Sequence, residues 1–357
     1  MKKNIAYIVN NLNVNGISSV ILSYCENLDK EKYNICIFSG NPISSINKEI
    51  LTKENIKIIE TPSKRENNAL KYYMFLKRYL KGFDIVHING NSRTITLELL
   101  ISKMNKNKTN VAHCHSTSCD FKLLHYIFKP LFSHIYDYGI ACSEQAGRWM
   151  FGNKKYKVLP NGIEIKKYIF DETVRKKIRQ ELNIEDNISL IGHVGNFSDV
   201  KNYPFIIKVF DEICEENNNF KLLLIGKYQN NPKLENYIRT SKNSDKIILL
   251  GTTNKISEYY NAMDCFVFPS KYEGLGIVAI EAQLNGLNCY VSNKVPSEVK
   301  ITNNLVYLTI EEDNSKKWVK KIIENNNKKN NRRNSSNFKN SKYDIKNTIS
   351  ELEKIYN

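Results

Sequence analysis

The sequence predicts an α/β protein with two doubly wound parallel sheets, each covered by helices. Short apolar runs typical of buried strands alternate with helix-like segments along most of the chain. This order favours parallel sheets with helices on both faces. The chain has 357 residues, a length that suits two domains better than one core.

Twelve segments are predicted to be strands, in two series. The first series is Ile5–Val9, Tyr33–Phe38, Ile56–Ile59, Asp84–Ile88, Asn110–Cys114, Tyr138–Cys142 and Lys157–Leu159, and the second is Ile188–Val194, Phe220–Ile225, Lys246–Leu250, Cys265–Phe268 and Asn288–Val291. The turn signal Pro160-Asn161-Gly162 divides them. We place the boundary near residue 165, which predicts domains over 1–165 and 166–341, with a last helix in 342–357.

The composition is that of a globular protein with a large excess of positive charge. The net charge is +16, and the segment from Lys64 to Lys108 contains ten basic residues and only three acidic ones. The predicted helix Leu70–Leu80 mixes cations with aromatic residues. This pattern suits either an anionic bilayer surface or the solvated side of a packed helix. No nucleic-acid-binding motif accompanies the charge, so nucleic acid is not predicted as a partner.

The cysteines and the apolar runs predict a cytoplasmic protein. The eight cysteines are scattered, with no CxxC pair or metal-ligand spacing, which is typical of reduced thiols. The apolar run Ile5–Val9 is too short for a signal peptide, and no run of about 18 apolar residues could span a bilayer.

The most informative motif lies in residues 268–282, FPSKYEGLGIVAIEA. A strand runs into the turn Glu273–Gly276, and a helix follows. Backbone N–H groups and the positive end of the helix then point at one spot, which suits phosphate. Glu273 and Glu281 lie about two helical turns apart, too far for an adjacent acid–base pair. They suit two contacts on one elongated ligand with hydroxyls on both sides of a diphosphate.

This motif resembles the E-x7-E signature of the retaining glycosyltransferases of family GT4. Their GT-B fold has two Rossmann-like domains that face a central cleft. Leu159–Glu164 is similar to the interdomain P-N-G turn of that family, and Ala141–Trp149 resembles a segment of its capsule and exopolysaccharide enzymes. In GT-B proteins the last helix commonly returns to the first domain, so residues 342–357 are expected to pack there.

Two loops resemble the donor site of that family in part. In residues 10–20, Gly16 matches the second glycine of a G-G-x-E turn, but Asn15 and Ser18 replace its other residues, and a plain βα turn would look much the same. In the second domain, Lys201 matches a cation that offsets the charge of the leaving diphosphate. Asn196 stands where the family has arginine, which bears on the rate. The resemblance implies a set of donor-binding residues: Gly16, Asn196, Lys201, Gly251, Ile256, Gly274, Leu275, Gly276 and Glu281.

The segment Ala-His-Cys-His-Ser, residues 112–116, ends the fifth predicted strand. The family often has a histidine here that reaches the donor sugar, and His115 is the better match. An irregular strand end allows His113 to point the other way. The resemblance makes His115 and Glu273 the catalytic residues, with Glu273 on the hydroxyls of the transferred sugar and Glu281 on those of the ribose.

The implied activity is retaining transfer of a sugar from a nucleoside-diphosphate donor, first of all a UDP-sugar, to a hydroxyl acceptor. The implied acceptor is a lipid-linked glycan in bacterial surface polysaccharide assembly, at the inner face of the cytoplasmic membrane. No D-x-D motif ends a strand, so neither a metal nor another cofactor is expected. Two alternatives stay open: a GT-B-like sugar-nucleotide epimerase, and a non-enzymatic basic membrane-associated binding protein. The sugar, the base, the acceptor and the oligomeric state are left open by the sequence.

Overall fold

The computed structural model describes residues 2–13, 16–64, 68–228, 231–311, 314–326, 338 and 341–357. The strands are β1 (Lys3–Val9), β2 (Tyr33–Ser39), β3 (Lys57–Glu60), β4 (Ile85–Gly90), β5 (Thr109–Cys114), β6 (Tyr138–Ala141), β7 (Lys157–Val158), β8 (Ser189–Val194), β9 (Phe220–Ile225), β10 (Ile247–Gly251), β11 (Cys265–Phe268), β12 (Asn288–Ser292) and β13 (Leu305–Leu308). The helices are α1 (Gly16–Asn27), α2 (Ser45–Lys53), α3 (Ala69–Tyr79), α4 (Thr96–Met104), α5 (Lys122–Ile127), α6 (Lys129–Phe132), α7 (Glu144–Phe151), α8 (Glu172–Glu181), α9 (Tyr203–Glu216), α10 (Pro232–Thr240), α11 (Ile256–Ala262), α12 (Ile277–Leu284), α13 (Ser315–Asn326) and α14 (Ile345–Tyr356).

These elements form two compact units, Met1–Ile163 with Asn340–Asn357, and Glu164–Lys339. The first unit has a parallel sheet in the order β3-β2-β1-β4-β5-β6-β7, and the second a parallel sheet in the order β10-β9-β8-β11-β12-β13. The strand order reverses between β1 and β4 and between β8 and β11. Ligands of doubly wound sheets bind at such points, beyond the carboxyl ends of the strands.

The inner strands of both sheets are buried because helices cover them, which explains their continuous apolar runs, while the edge strands β3, β7, β10 and β13 are partly exposed. In the first unit, α14 completes the core: Ile345, Ile349, Leu352 and Ile355 join the buried side chains of β1, β2 and α1. Thr348 lies inside as well, and its hydroxyl donates to the carbonyl of Pro160 at 3.3 Å. The last helix is therefore part of the first unit.

The predicted fold class is confirmed, and all twelve predicted strands are present with ends within two residues of those expected. The strand β13 was not predicted. It is four residues long and lies at the edge of the second sheet, next to β12. In the described ranges, no helix has the length and apolar character that crossing a bilayer requires.

Candidate functional site

Two loops of the second unit meet where its strand order reverses. One follows β8 and contains a short 3₁₀ turn, Asp199–Lys201; the other follows β11 and leads into α12. Because β8 and β11 are neighbours, their carboxyl ends bring the loops together. The backbone N–H of Lys271 donates to the carbonyl of Val200 at 2.8 Å, which joins the two loops directly.

Lys201 and Glu273 form an ion pair at this junction. The Nζ of Lys201 lies 2.6 Å from Oε1 of Glu273, and 4.7 Å from the centre of the Phe268 ring. The side chains are 19% and 14% exposed, so water screens the pair only in part. Two residues that the sequence predicted separately, 72 positions apart, are thus in direct contact. An anion arriving here would compete with Glu273 for the ammonium group.

The turn before α12 depends on Gly276. Its φ is +89°, a left-handed conformation, and a Cβ there would lie 3.2 Å from the Phe268 ring and 3.3 Å from Val295. Side chains are disfavoured on both counts. Leu275 is buried, so its backbone, together with Gly274 and Gly276, is what the turn presents. The N–H of Ala279 donates to the carbonyl of Gly276 at 3.0 Å, and the first turn of α12 carries the positive end of the helix dipole.

Glu281 is held by two tyrosines. Its Oε1 accepts a hydrogen bond from the Tyr168 hydroxyl at 2.9 Å, and its Oε2 one from the Tyr260 hydroxyl at 3.0 Å. Burial raises the pKa of Glu281, and the two hydroxyl donors oppose that shift. Sequence reasoning missed both tyrosines, because neither lies in a motif and Tyr168 is 113 positions from Glu281. A ribose bound by this carboxylate would share it with them.

Asn196 connects two loops by a hydrogen bond. Its Oδ1 accepts a hydrogen bond from the backbone N–H of Lys227 at 2.8 Å, which links the loops after β8 and β9. The backbone N–H of Gly195 donates to Ile225 at 2.8 Å, close to the same place. An arginine at 196 would not supply this acceptor. The substitution relative to the family therefore has a structural role here.

Gly251 and Ile256 flank the loop between β10 and α11. Gly251 has a φ of +83°, and its carbonyl accepts a hydrogen bond from the N–H of Gly226 at 2.9 Å. Ile256 is partly buried at the first position of α11. The carboxyl ends of β10, β9 and β8 are thus linked through glycine backbones, and Gly251 belongs to that edge.

We expect Gly226→Ala to disturb this edge. A Cβ on Gly226 would lie 2.0 Å from the carbonyl oxygen of Gly195, so the backbone before Asn196 must shift. We expect a loss of about 2 kcal/mol or more in stability, measured by thermal unfolding. Gly82→Ala is the matched control, because Gly82 also has a positive φ but has open space around it. Equal losses in the two variants would show that crowding at Gly226 is unimportant.

In the first unit, His115 follows β5 and bonds to Asn89. The His115 Nε2 lies 2.9 Å from Asn89 Oδ1, while the Asn89 amide nitrogen faces the carbonyls of Ile8 and His87, at 3.4 Å each. This orientation of Asn89 means that Nε2 of His115 carries a proton. Burial lowers the pKa of His115 to about 3, and the neighbouring Asn161 side chain opposes that shift. His115 is therefore uncharged at neutral pH.

His113 does not point away from His115, as an irregular strand end would have allowed. The rings of His113 and His115 lie on the same face of the sheet, with their centres 3.9 Å apart. Regular strand geometry therefore extends to the end of β5. Gly16, the other predicted residue of this unit, starts α1 in open space, and Asn15 lies outside the described residues.

Two apolar surfaces of the first unit are exposed. On α3, Leu70 and Met74 are 73% and 63% exposed, while Tyr72 and Leu76 face the core. The second surface surrounds α5 and was missed in the sequence, where it looks like an ordinary packed helix. Its exposed residues are Phe121, Leu123, Leu124, Tyr126, Ile127 and Leu131.

Two family models match consecutive parts of the chain: Glycosyltransferase Family 4 over residues 14–167, and Glycosyl transferases group 1 over residues 174–341. EpsF of Bacillus subtilis (strain 168) is 26% identical over 90% of this chain and 87% of its own length. The capsular polysaccharide biosynthesis glycosyltransferase CapM of Staphylococcus aureus is 30% identical over 45% of this chain and 42% of its own length. Anabaena Alr3699/HepE, solved with UDP and glucose, superposes with a TM-score of 0.82 over 98% of both chains at 16% identity.

Fold, turn motif and family models together define a glycosyltransferase of the GT-B type. The chain belongs to the GT4 family and resembles its exopolysaccharide and capsule enzymes. The non-enzymatic alternative is therefore set aside.

Proposed function

We propose that this enzyme transfers a sugar from a UDP-sugar to a hydroxyl of a lipid-linked glycan, with retention at the anomeric carbon. The main support is the contact between Lys201 and Glu273 at the N-terminus of α12, together with Glu281, which two tyrosine hydroxyls hold on the same helix. A cation, the backbone N–H groups at a helix N-terminus and two carboxylates are the groups that a diphosphate between two polyols requires.

The bond from the anomeric carbon to the diphosphate oxygen breaks, and its electrons leave with the nucleoside diphosphate. The acceptor oxygen bonds to the same carbon, and its proton passes to the departing phosphate. Lys201 and the α12 N-terminus offset the charge of the leaving group. Glu273 binds the transferred sugar, Glu281 the ribose, and the His115 ring orients the sugar. Within the part of the chain described, no group of three or more His, Cys, Asp or Glu side chains could hold a metal ion. We propose that the reaction needs no metal.

The relatives guide the choice of donor and acceptor. HepE has been solved with UDP-glucose, and an Escherichia coli relative, 26% identical over 56% of this chain, is a UDP-Gal:alpha-D-GlcNAc-diphosphoundecaprenol alpha-1,3-galactosyltransferase. A diphosphate-linked lipid acceptor would also suit a chain with a net charge of +16.

Calorimetry with UDP, GDP and a panel of their sugars, in the presence of EDTA, tests the donor assignment. We expect binding of UDP and of at least one UDP-sugar. Chromatography of donor incubations then separates a transferase from the epimerase alternative, because an epimerase yields an isomer without any acceptor. Failure to bind every nucleotide sugar would contradict the proposal.

We expect the basic side of α3 to bring the enzyme to anionic membranes. Lys71, Lys77 and Arg78 are exposed beside the apolar residues Leu70 and Met74. Each basic residue near an anionic surface contributes about 1 kcal/mol, so replacing all three by alanine should weaken binding to phosphatidylglycerol vesicles on the order of 100-fold. Vesicle sedimentation measures this.

A matched variant exists in the second unit. Lys316, Lys317 and Lys320 are exposed on α13, and replacing them by alanine changes the net charge equally. That variant should retain vesicle binding. Equal losses in both variants would show that net charge alone acts, and no loss from the α3 variant would remove the membrane role of α3.

A further inference from the structure

A chain of buried polar groups runs through the first unit from its last helix to its strand ends. The hydroxyl of Tyr356, on α14, lies 2.8 Å from the hydroxyl of Tyr7 and 2.6 Å from Nδ1 of His87. The Nε2 of His87 lies 3.1 Å from Nδ1 of His113. The ring of His113 then packs against that of His115. Tyr7, His87, His113 and Tyr356 are at most 2% exposed.

Register explains how β4 and β5 hold this chain. In β4, His87 and Asn89 share a face, and in and after β5, His113 and His115 share the same face. The contacts His87–His113 and Asn89–His115 each join residues 26 positions apart, so they form two successive rungs between the strands. His115 thus rests on the ring of His113 and is tied to Asn89.

The proton count limits how these groups can be arranged. Each of Tyr7, Tyr356, His87 and His113 carries one hydrogen when neutral, and burial disfavours a charge on either histidine. The two hydrogen bonds of His87 run in the same direction, because its single hydrogen lies on one ring nitrogen and the other nitrogen must accept. The Tyr356 hydroxyl bonds to both Tyr7 and His87, and the rings of Tyr7 and His87 also pack together with their centres 5.0 Å apart.

We infer, on the basis of the proposed function, that Tyr356, His87 and His113 are positioning residues that fix the ring of His115 for the donor sugar. Conventional packing would need only apolar side chains at these positions. The last helix carries the polar link, and its end is tied down by Lys3, whose Nζ donates to the carbonyl of Tyr356 at 2.8 Å. The C-terminal helix therefore contributes to the site as well as to the core.

Tyr356→Phe tests this directly. We expect kcat to fall about tenfold or more with the donor KM nearly unchanged, because misplacing a contact to the reacting sugar affects turnover before binding. Tyr33→Phe is the matched control. The Tyr33 hydroxyl donates to the side chain of Asn357 at the same end of α14, but Tyr33 is not part of the chain of buried polar groups.

NMR of the imidazole nitrogens gives a second measurement that needs no activity. In the wild type at neutral pH, His115 should be neutral with its proton on Nε2. Tyr356→Phe should shift the ring nitrogens of His113 and His115, and Tyr33→Phe should not. The inference is overturned if kcat of Tyr356→Phe matches that of Tyr33→Phe, or if wild-type His115 carries its proton on Nδ1. If no nucleotide sugar is used at all, the proposed function fails. The NMR result still decides whether the chain of buried polar groups orders the ring of His115.

Discussion

Replacing Lys201 by methionine is expected to lower kcat/KM for the donor about 100- to 1000-fold. The substitution keeps the aliphatic stem over Phe268 and removes the ammonium group that offsets the charge of the leaving diphosphate. Nucleotide release from the donor found by calorimetry measures the loss. Lys208→Met, on the exposed side of α9, is the matched control. A decrease of less than about threefold would show that Lys201 serves mainly as the partner of Glu273.

Glu273→Gln separates the two members of this pair. Because Glu273 Oε1 lies 2.6 Å from Lys201, the carboxylate neutralises the cation until a ligand arrives. Removing the negative charge should tighten UDP binding, since the ammonium then has no competing anion. Turnover should fall in the same variant, because the proposed contact with the transferred sugar is weakened. Weaker UDP binding would instead mean that Glu273 is needed to hold Lys201 in place.

The fold could be predicted from the sequence because its signal is local. Buried parallel strands such as Ile5–Val9 and Phe220–Ile225 are apolar throughout, and turn residues bound them. β13 was missed because Leu305–Leu308 is short, is only partly buried and lies at a sheet edge. Short apolar runs of this kind cannot be assigned from periodicity alone.

The site could be predicted in part, for a related reason. The turn Glu273–Gly276 and the position of Lys201 are local patterns, and their contact follows from the pairing of β8 with β11. The tyrosines on Glu281 and the link from Tyr356 to His87 join residues far apart in the chain. In the sequence, Tyr356 is one more apolar residue on the buried face of a helix. Only the packing of α14 reveals that its hydroxyl is used.

Four of the six histidines have no exposed surface, namely His87, His113, His125 and His193. Burial lowers the pKa of His87 and of His193 to about 3 and that of His125 to about 4, and it lowers the pKa of His113 well below the ordinary value. The unfolded chain takes up a proton on each of them below about pH 6.5, and the folded protein does not. In this window the unfolded state binds more protons, so stability falls as the pH falls.

We therefore expect acid to unfold this enzyme at a mild pH. Each buried histidine costs about 1.4 kcal/mol per pH unit once the unfolded form is protonated, so four could remove roughly 8 kcal/mol between pH 7 and 5. That is a large part of ordinary domain stability. Glu281 acts in the opposite direction, because its pKa is raised in the folded state, but it is a single group.

Urea unfolding at several pH values, followed by circular dichroism, measures this dependence. His134→Gln should leave the pH slope unchanged, because His134 is exposed. His193→Phe should reduce the slope, even though it also removes the hydrogen bond from the His193 ring to Val267 and so lowers stability at neutral pH. Equal slopes in all three proteins would mean that the buried histidines take up protons without unfolding, and that the folded interior supplies acceptors for them.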